Sequence, residues 1–141
     1  MMMSMPRSLH RTVVSSKEVA DLARAILNTE DENAREREHF WVLGLNAKNT
    51  VKFVYLVSLG SLTASICHPR ETFRQAIVHG TCSIILAHNH PSGDTKPSQE
   101  DILLTRRLVQ GGELLGIKVL DHVIIGDDHF SFRESGLIPT A

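Results

Sequence analysis

His88-Asn89-His90-Pro91-Ser92-Gly93-Asp94-Thr95-Lys96-Pro97-Ser98-Gln99-Glu100-Asp101 is the stretch whose reading decides the fold. It follows Cys82-Ser83-Ile84-Ile85-Leu86-Ala87, a short β-branched apolar run bounded by Gly80 and Pro91, the pattern of a buried strand. Residues two apart on a strand share a face, so His88 and His90 project together from its C-terminal end. A loop rich in Pro, Ser, Gly and Asp follows. Ser98, with Pro97 before it and Asp101 three residues on, reads as a helix N-cap. Asp101 then sits in the first turn and can reach back over the loop towards the histidines. Two imidazoles and one carboxylate make a hydrolytic zinc ligand set, with a fourth position left to water. Zinc lowers the pKa of bound water to about 7. The bland alternative is a pair of polar histidines beside a capping box.

Working outward, Ser15-Ser16 cap a helix expected to run to about Asn28, with Val19, Leu22, Ala23, Ile26 and Leu27 on one face. Thr29 to Glu38 is a charged patch, expected as a solvated helix with mixed charge pairs rather than a docking surface. Phe40 to Leu45 and Thr50 to Leu59 read as strands joined by the turn Asn46-Ala47-Lys48-Asn49, with a bulge or bend at Gly60. Ser61 to Cys67 continues extended. Pro69 opens a helix to His79, with Phe73, Ala76 and Ile77 inward, and Gly80 ends it. The helix after Ser98 carries Ile102, Leu103, Leu108 and Leu115 as its apolar stripe. Gly111-Gly112 weakens it and Gly116 stops it. Ile117 to Ile125 is a strand, 126–128 a turn, and His129 to Arg133 a short last strand. The order predicts a single α/β domain with a mixed central β-sheet flanked by helices. Residues 1–14 are expected as a loose arm, 15–137 as the domain and 138–141 as a tail.

The chain has 141 residues, enough for one domain with a real core. Hydrophobic residues make up 42% and charged residues 22%, ordinary values for a soluble globular protein. A net charge of −1 gives no electrostatic case for nucleic acid or an anionic membrane. No apolar run approaches the roughly 18 residues of a membrane span. Met1 to Pro6 does not read as a secretory signal. Cys67 and Cys82 fit reduced thiols in a cytoplasmic protein. The neighbouring Cys67-His68 is read as incidental packing rather than a second metal site.

The spacing H-x-H, seven residues, Ser, two residues, Asp resembles the JAMM motif of MPN-domain metallopeptidases. Gly60-Ser61-Leu62, His68-Pro69-Arg70-Glu71, Leu86 to Asp94, Pro97-Ser98 and Leu120-Asp121-His122-Val123-Ile124-Ile125-Gly126 extend the likeness to the RadC-like branch of JAB-domain proteins, from about Ser15 to Leu137. The resemblance implies a cytidine-deaminase-like layout with zinc held by His88, His90 and Asp101. It also implies that Ser98 donates to the oxyanion of an amide or isopeptide substrate, so one hydroxyl is asked both to cap and to catalyse. Full-length relatives carry a helix-hairpin-helix segment upstream, which is not expected in the residues before Ser15. The family's DNA-repair label finds no hook here beyond clustered arginines such as Arg106-Arg107, which read as a solvated helix face.

Active members place a glutamate on the strand before the Ser-x-Gly segment. By that alignment its position here is Tyr55, and no Asp or Glu stands between Glu38 and Glu71. Tyrosine, with a pKa near 10, is a poor general base at pH 7. Two functions follow: a zinc hydrolase of the metallopeptidase type, or a non-catalytic metal-stabilised MPN binding module. Glu71 is read as structural, complementing a helix dipole.

Overall fold

A computed structural model describes residues 12–13, 15–60 and 67–139. Five strands form one mixed sheet: β1 (His39–Leu45), β2 (Val51–Leu59), β3 (Ser83–Asn89), β4 (Lys118–Ile125) and β5 (His129–Ser131). Their spatial order is β2-β1-β3-β4-β5. Only β3 and β4 run parallel, and their crossover needs a helix. The helices are α1 (Ser16–Leu27), α2 (Glu32–Arg35), α3 (Pro69–His79) and α4 (Gln99–Leu115). The expected α/β domain with a helix-flanked mixed sheet is the one observed, and of the expected solvated helix at Thr29 to Glu38 the stretch Glu32–Arg35 is helical, with no residue buried.

Both faces of the sheet are covered, which is why β1 and β3 are buried along their whole length. On one face α1 sets Val19, Leu22, Ala23 and Ile26 against Trp41, Leu43, Ile85 and Val123. On the other, Phe73 and Ala76 of α3 and Leu104 and Leu108 of α4 pack on Phe40, Val42, Ile84 and Leu86. No described helix is long and apolar enough to cross a membrane.

Several local expectations change. Of the loose arm, Thr12 bridges Thr50, and Val13 is buried with its N–H on Asn49 O at 2.9 Å. These two residues are therefore tied to the sheet. The other arm residues, and 61–66 of the expected extended segment, lie outside the described residues. Ile77 faces solvent, because the inward stripe of α3 runs through Thr72, Phe73 and Ala76. On α4 the inward face is Asp101, Leu104, Thr105, Leu108, Val109 and Gly112, and Leu103 and Leu115 turn outward. Two polar residues set that face, so an apolar count misreads it. The helix runs through Gly112 to Leu115, and the glycine has a packing role there. A Cβ there would stand 2.3 Å from the Ile117 carbonyl oxygen, and only glycine lets β4 begin so close to α4.

Candidate metal centre

His88 is the penultimate residue of β3, and His90 follows the strand with its N–H still on Ile125 O at 2.8 Å. The strand parity read from sequence therefore holds past the last ladder residue. The loop is pinned back to the β4–β5 turn by Asp127 N–H donating to Gly93 O at 2.9 Å. Gly126 permits this, since a Cβ there would meet Gly93 O at 2.4 Å. Ser98 then caps α4. Its Oγ accepts from Asp101 N at 3.0 Å, and Asp101 Oδ2 accepts from Ser98 N at 2.8 Å. The box fixes the Asp101 backbone and turns its carboxylate into the protein.

The three side chains converge. His88 Nε2 lies 3.4 Å from Asp101 Oδ1, His90 Nε2 lies 3.3 Å from Asp101 Oδ2, and the two Nε2 atoms are 2.9 Å apart. Ligand atoms about 2.0–2.1 Å from a tetrahedral zinc stand roughly 3.3 Å from one another. Two of the three separations match, and the third needs the rings to part by a few tenths of an ångström. His90 Nδ1 lies 2.7 Å from the Asp94 carbonyl, which can only accept, so a neutral His90 turns the Nε2 lone pair to the centre. Facing lone pairs beside a carboxylate call for a cation, and the donor set fits a divalent metal. Among the described residues it is the one group of three such side chains that converges.

The electrostatics differ across the site. Burial pushes His88 below the ordinary imidazole value, against the opposing pull of Asp101. His90 is raised, chiefly by its hydrogen bond to Asp101. Burial works to raise Asp101, yet hydrogen bonds from the protonated forms of His88 and His90 hold it well below the usual carboxylate range.

Sequence reasoning missed a second carboxylate. The Glu38 charge, the weakest of the named influences, favours the protonated forms of His88 and His90. Glu38 directly precedes β1, whose Phe40 is the partner of His88. Asn89 grips the backbone on either side of it. Its Oδ1 accepts from His39 N at 2.6 Å, and its Nδ2 donates to Arg37 O at 3.0 Å. Gly60 N–H holds the Glu38 carbonyl at 2.8 Å. The signal lay in the sequence, in an acidic residue directly before an apolar strand, but it was absorbed into the charged patch. That patch is not simply solvated: Glu30 Oε2 meets the buried His39 Nε2 at 2.5 Å.

Tyr55 does not stand where a water-activating base would. It lies on β2, and β1 separates β2 from β3. Its row is Val42 and Leu86, one pleat short of the row of Phe40, Ser58 and His88. Two strand spacings come to about 10 Å, and the step along the strand to about 7 Å. The half-buried Tyr55 packs on the α3–α4 side of the core, an ordinary strand aromatic. His68 Nδ1 caps α3 by accepting from Arg70 N at 3.2 Å, and Cys67 beside it is buried. Glu71 lies in the first turn of α3, where it complements the dipole.

A helix-flanked mixed sheet with two histidines and an aspartate at a strand–loop–helix junction defines a JAB-type domain. A family model for the RadC-like JAB domain matches residues 13–137, and the chain belongs to that family. It is similar to a UPF0758 protein of Desulfitobacterium hafniense, 49% identical over 131 residues, covering 92% of this chain and 56% of the relative. A UPF0758 protein of Desulforamulus reducens is 54% identical over 110 residues, covering 77% of this chain and 48% of the relative. One of Moorella thermoacetica is 49% identical over 132 residues, with 93% and 56% covered. The chain spans about half the length of these curated relatives.

Proposed function

We propose that the chain is a zinc-dependent hydrolase of the JAMM metallopeptidase type, directing water at an amide or isopeptide bond. The convergence of His88, His90 and Asp101 carries this reading. A zinc ion at such a ligand set supplies Lewis acidity, which brings water's pKa to about 7. Glu38 takes the proton of the attacking water and returns it to the leaving nitrogen. Asn89 keeps the Glu38 backbone in register. Ser98 can serve twice, because a hydroxyl has lone pairs to accept and one hydrogen to donate. The cap bond uses a lone pair, and the hydrogen stays available for the developing oxyanion. The binding-module alternative leaned on a missing carboxylate, which Glu38 would supply in this reading.

The test is hydrolysis of a peptide and isopeptide panel by zinc-loaded wild type, Glu38→Gln and Tyr55→Phe, with a chelated control. Glu38→Gln should lose about a hundred- to ten-thousand-fold in turnover while keeping its zinc, and Tyr55→Phe should stay near wild type. Undiminished turnover in Glu38→Gln refutes the assignment.

A further inference from the structure

His122 on β4 is fully buried, yet none of the chemistry above uses it. Its Nε2 lies 2.7 Å from His88 Nδ1, and its Nδ1 lies 2.6 Å from Thr105 Oγ1. Thr105 Oγ1 in turn donates to the Asp101 carbonyl at 2.7 Å. The ring is stacked on Phe132 at 4.5 Å and meets Phe40 edge-on at 5.9 Å, so it has little room to turn. The four groups form one chain, and the chain begins and ends on two of the three candidate ligands.

Its proton order follows from the chemistry of the last acceptor. A backbone carbonyl carries no proton, so the Thr105 hydroxyl hydrogen must point to Asp101 O. Thr105 Oγ1 can then only accept from His122, which places the His122 proton on Nδ1. His122 Nε2 is left as a lone pair and can only accept, so His88 carries its proton on Nδ1. His88 Nε2 is thereby bare and faces Asp101 and His90. With both rings neutral, this order matches a donor to an acceptor at each link from Asp101 O to His88 Nδ1, and it leaves His88 Nε2 as a bare lone pair for a cation.

We propose that His122 and Thr105 are positioning residues of the metal centre, fixing the tautomer of His88 so that its Nε2 lone pair is presented to the metal. The inference rests on the reading of His88 as a ligand. A metal-bound histidine needs an acceptor for its second ring N–H, and losing that acceptor typically lowers metal affinity about 10- to 100-fold. Here the acceptor is a second imidazole, whose own tautomer is set by a threonine one turn after the aspartate ligand. The ordering therefore ties β3, β4 and α4 together at the site.

Two measurements test it, neither needing a substrate. Long-range 1H–15N spectra of the metal-free, histidine-labelled full chain, above the imidazole titration range, should show His88 and His122 both protonated at Nδ1. Zinc and cobalt titrations should then show affinity lowered about 10- to 100-fold in Thr105→Val and His122→Phe. Thr105→Ser, which keeps the hydroxyl, and His122→Gln, which keeps an acceptor towards His88, should recover most of it. Thr105→Val is nearly isosteric, so the tautomer signal remains readable if His122→Phe fails to fold. His88 protonated at Nε2 in the wild type, or wild-type affinity in folded Thr105→Val, overturns the inference. A wild type that takes up neither metal overturns the proposed hydrolase instead, while the His88 tautomer still decides this point alone.

Discussion

Asp101→Asn separates the two tasks of Asp101, ligand and cap. The side chain keeps its shape, and the amide oxygen can still accept from Ser98 N, the 2.8 Å bond that closes the capping box. What is lost is a buried negative charge. In the metal-free fold His88 and His90 hold that charge ionised against its burial, so metal-free Asp101→Asn should be less stable than metal-free wild type at neutral pH, and the zinc-induced rise rather than the baseline is the readout. With zinc at about a hundred times Kd, wild type gains roughly 2.7 kcal/mol. For a chain of this length that is a Tm rise of about 10 °C. A thousandfold weaker site is about 4 kcal/mol poorer. The same zinc then stands at about a tenth of Kd and contributes under about 0.1 kcal/mol. Thermal melts with chelator and with zinc give the readout. Ser98→Ala should lose about 1 kcal/mol under both conditions, because it removes the cap and no ligand, and its zinc-induced rise should be preserved. An Asp101→Asn chain that zinc stabilises as much as wild type refutes the ligand assignment.

Asn89→Ala should leave zinc content intact and lower amide turnover at least about tenfold, because it frees the segment bearing Glu38 and strands the His39 N–H; unchanged turnover counts against the clamp. Gly112→Ala should destabilise by about 1–3 kcal/mol in urea melts, since the new methyl meets the backbone oxygen of Ile117 and not a yielding side-chain tip; a neutral result would mean that α4 and β4 can part. The exposed Cys82 should react with a thiol reagent at pH 8, whereas burial pushes the Cys67 thiol up to about 11 and keeps it unreactive. As an acid raised in the fold, Cys67 contributes stability present below the ordinary thiol value of 9.0 and lost as pH rises towards about 11, which alkaline melts of wild type against Cys67→Ala should register.

His88, His90, Ser98 and Asp101 were legible because their geometry is local. Strand parity and the first turn of a capped helix fix the relative directions of residues at most 13 positions apart. The element order and the helix-flanked sheet were legible for the same reason, since each helix and strand carries its own period and stop signal. Three things were decided only by tertiary structure. The residue before β1, Glu38, lies next to the strand that pairs with β3 because β1, not β2, lies beside β3, and nothing in either strand's pattern reports which neighbour it will have. Tyr55 drops out for that same reason. His122 and Thr105 join the centre through a parallel crossover that brings residues 34 positions apart to 2.7 Å, inside a helix face set by polar residues. Pairing partners and buried polar contacts depend on how separate elements dock, and a single chain's periodicity records the face an element buries but not what it is buried against.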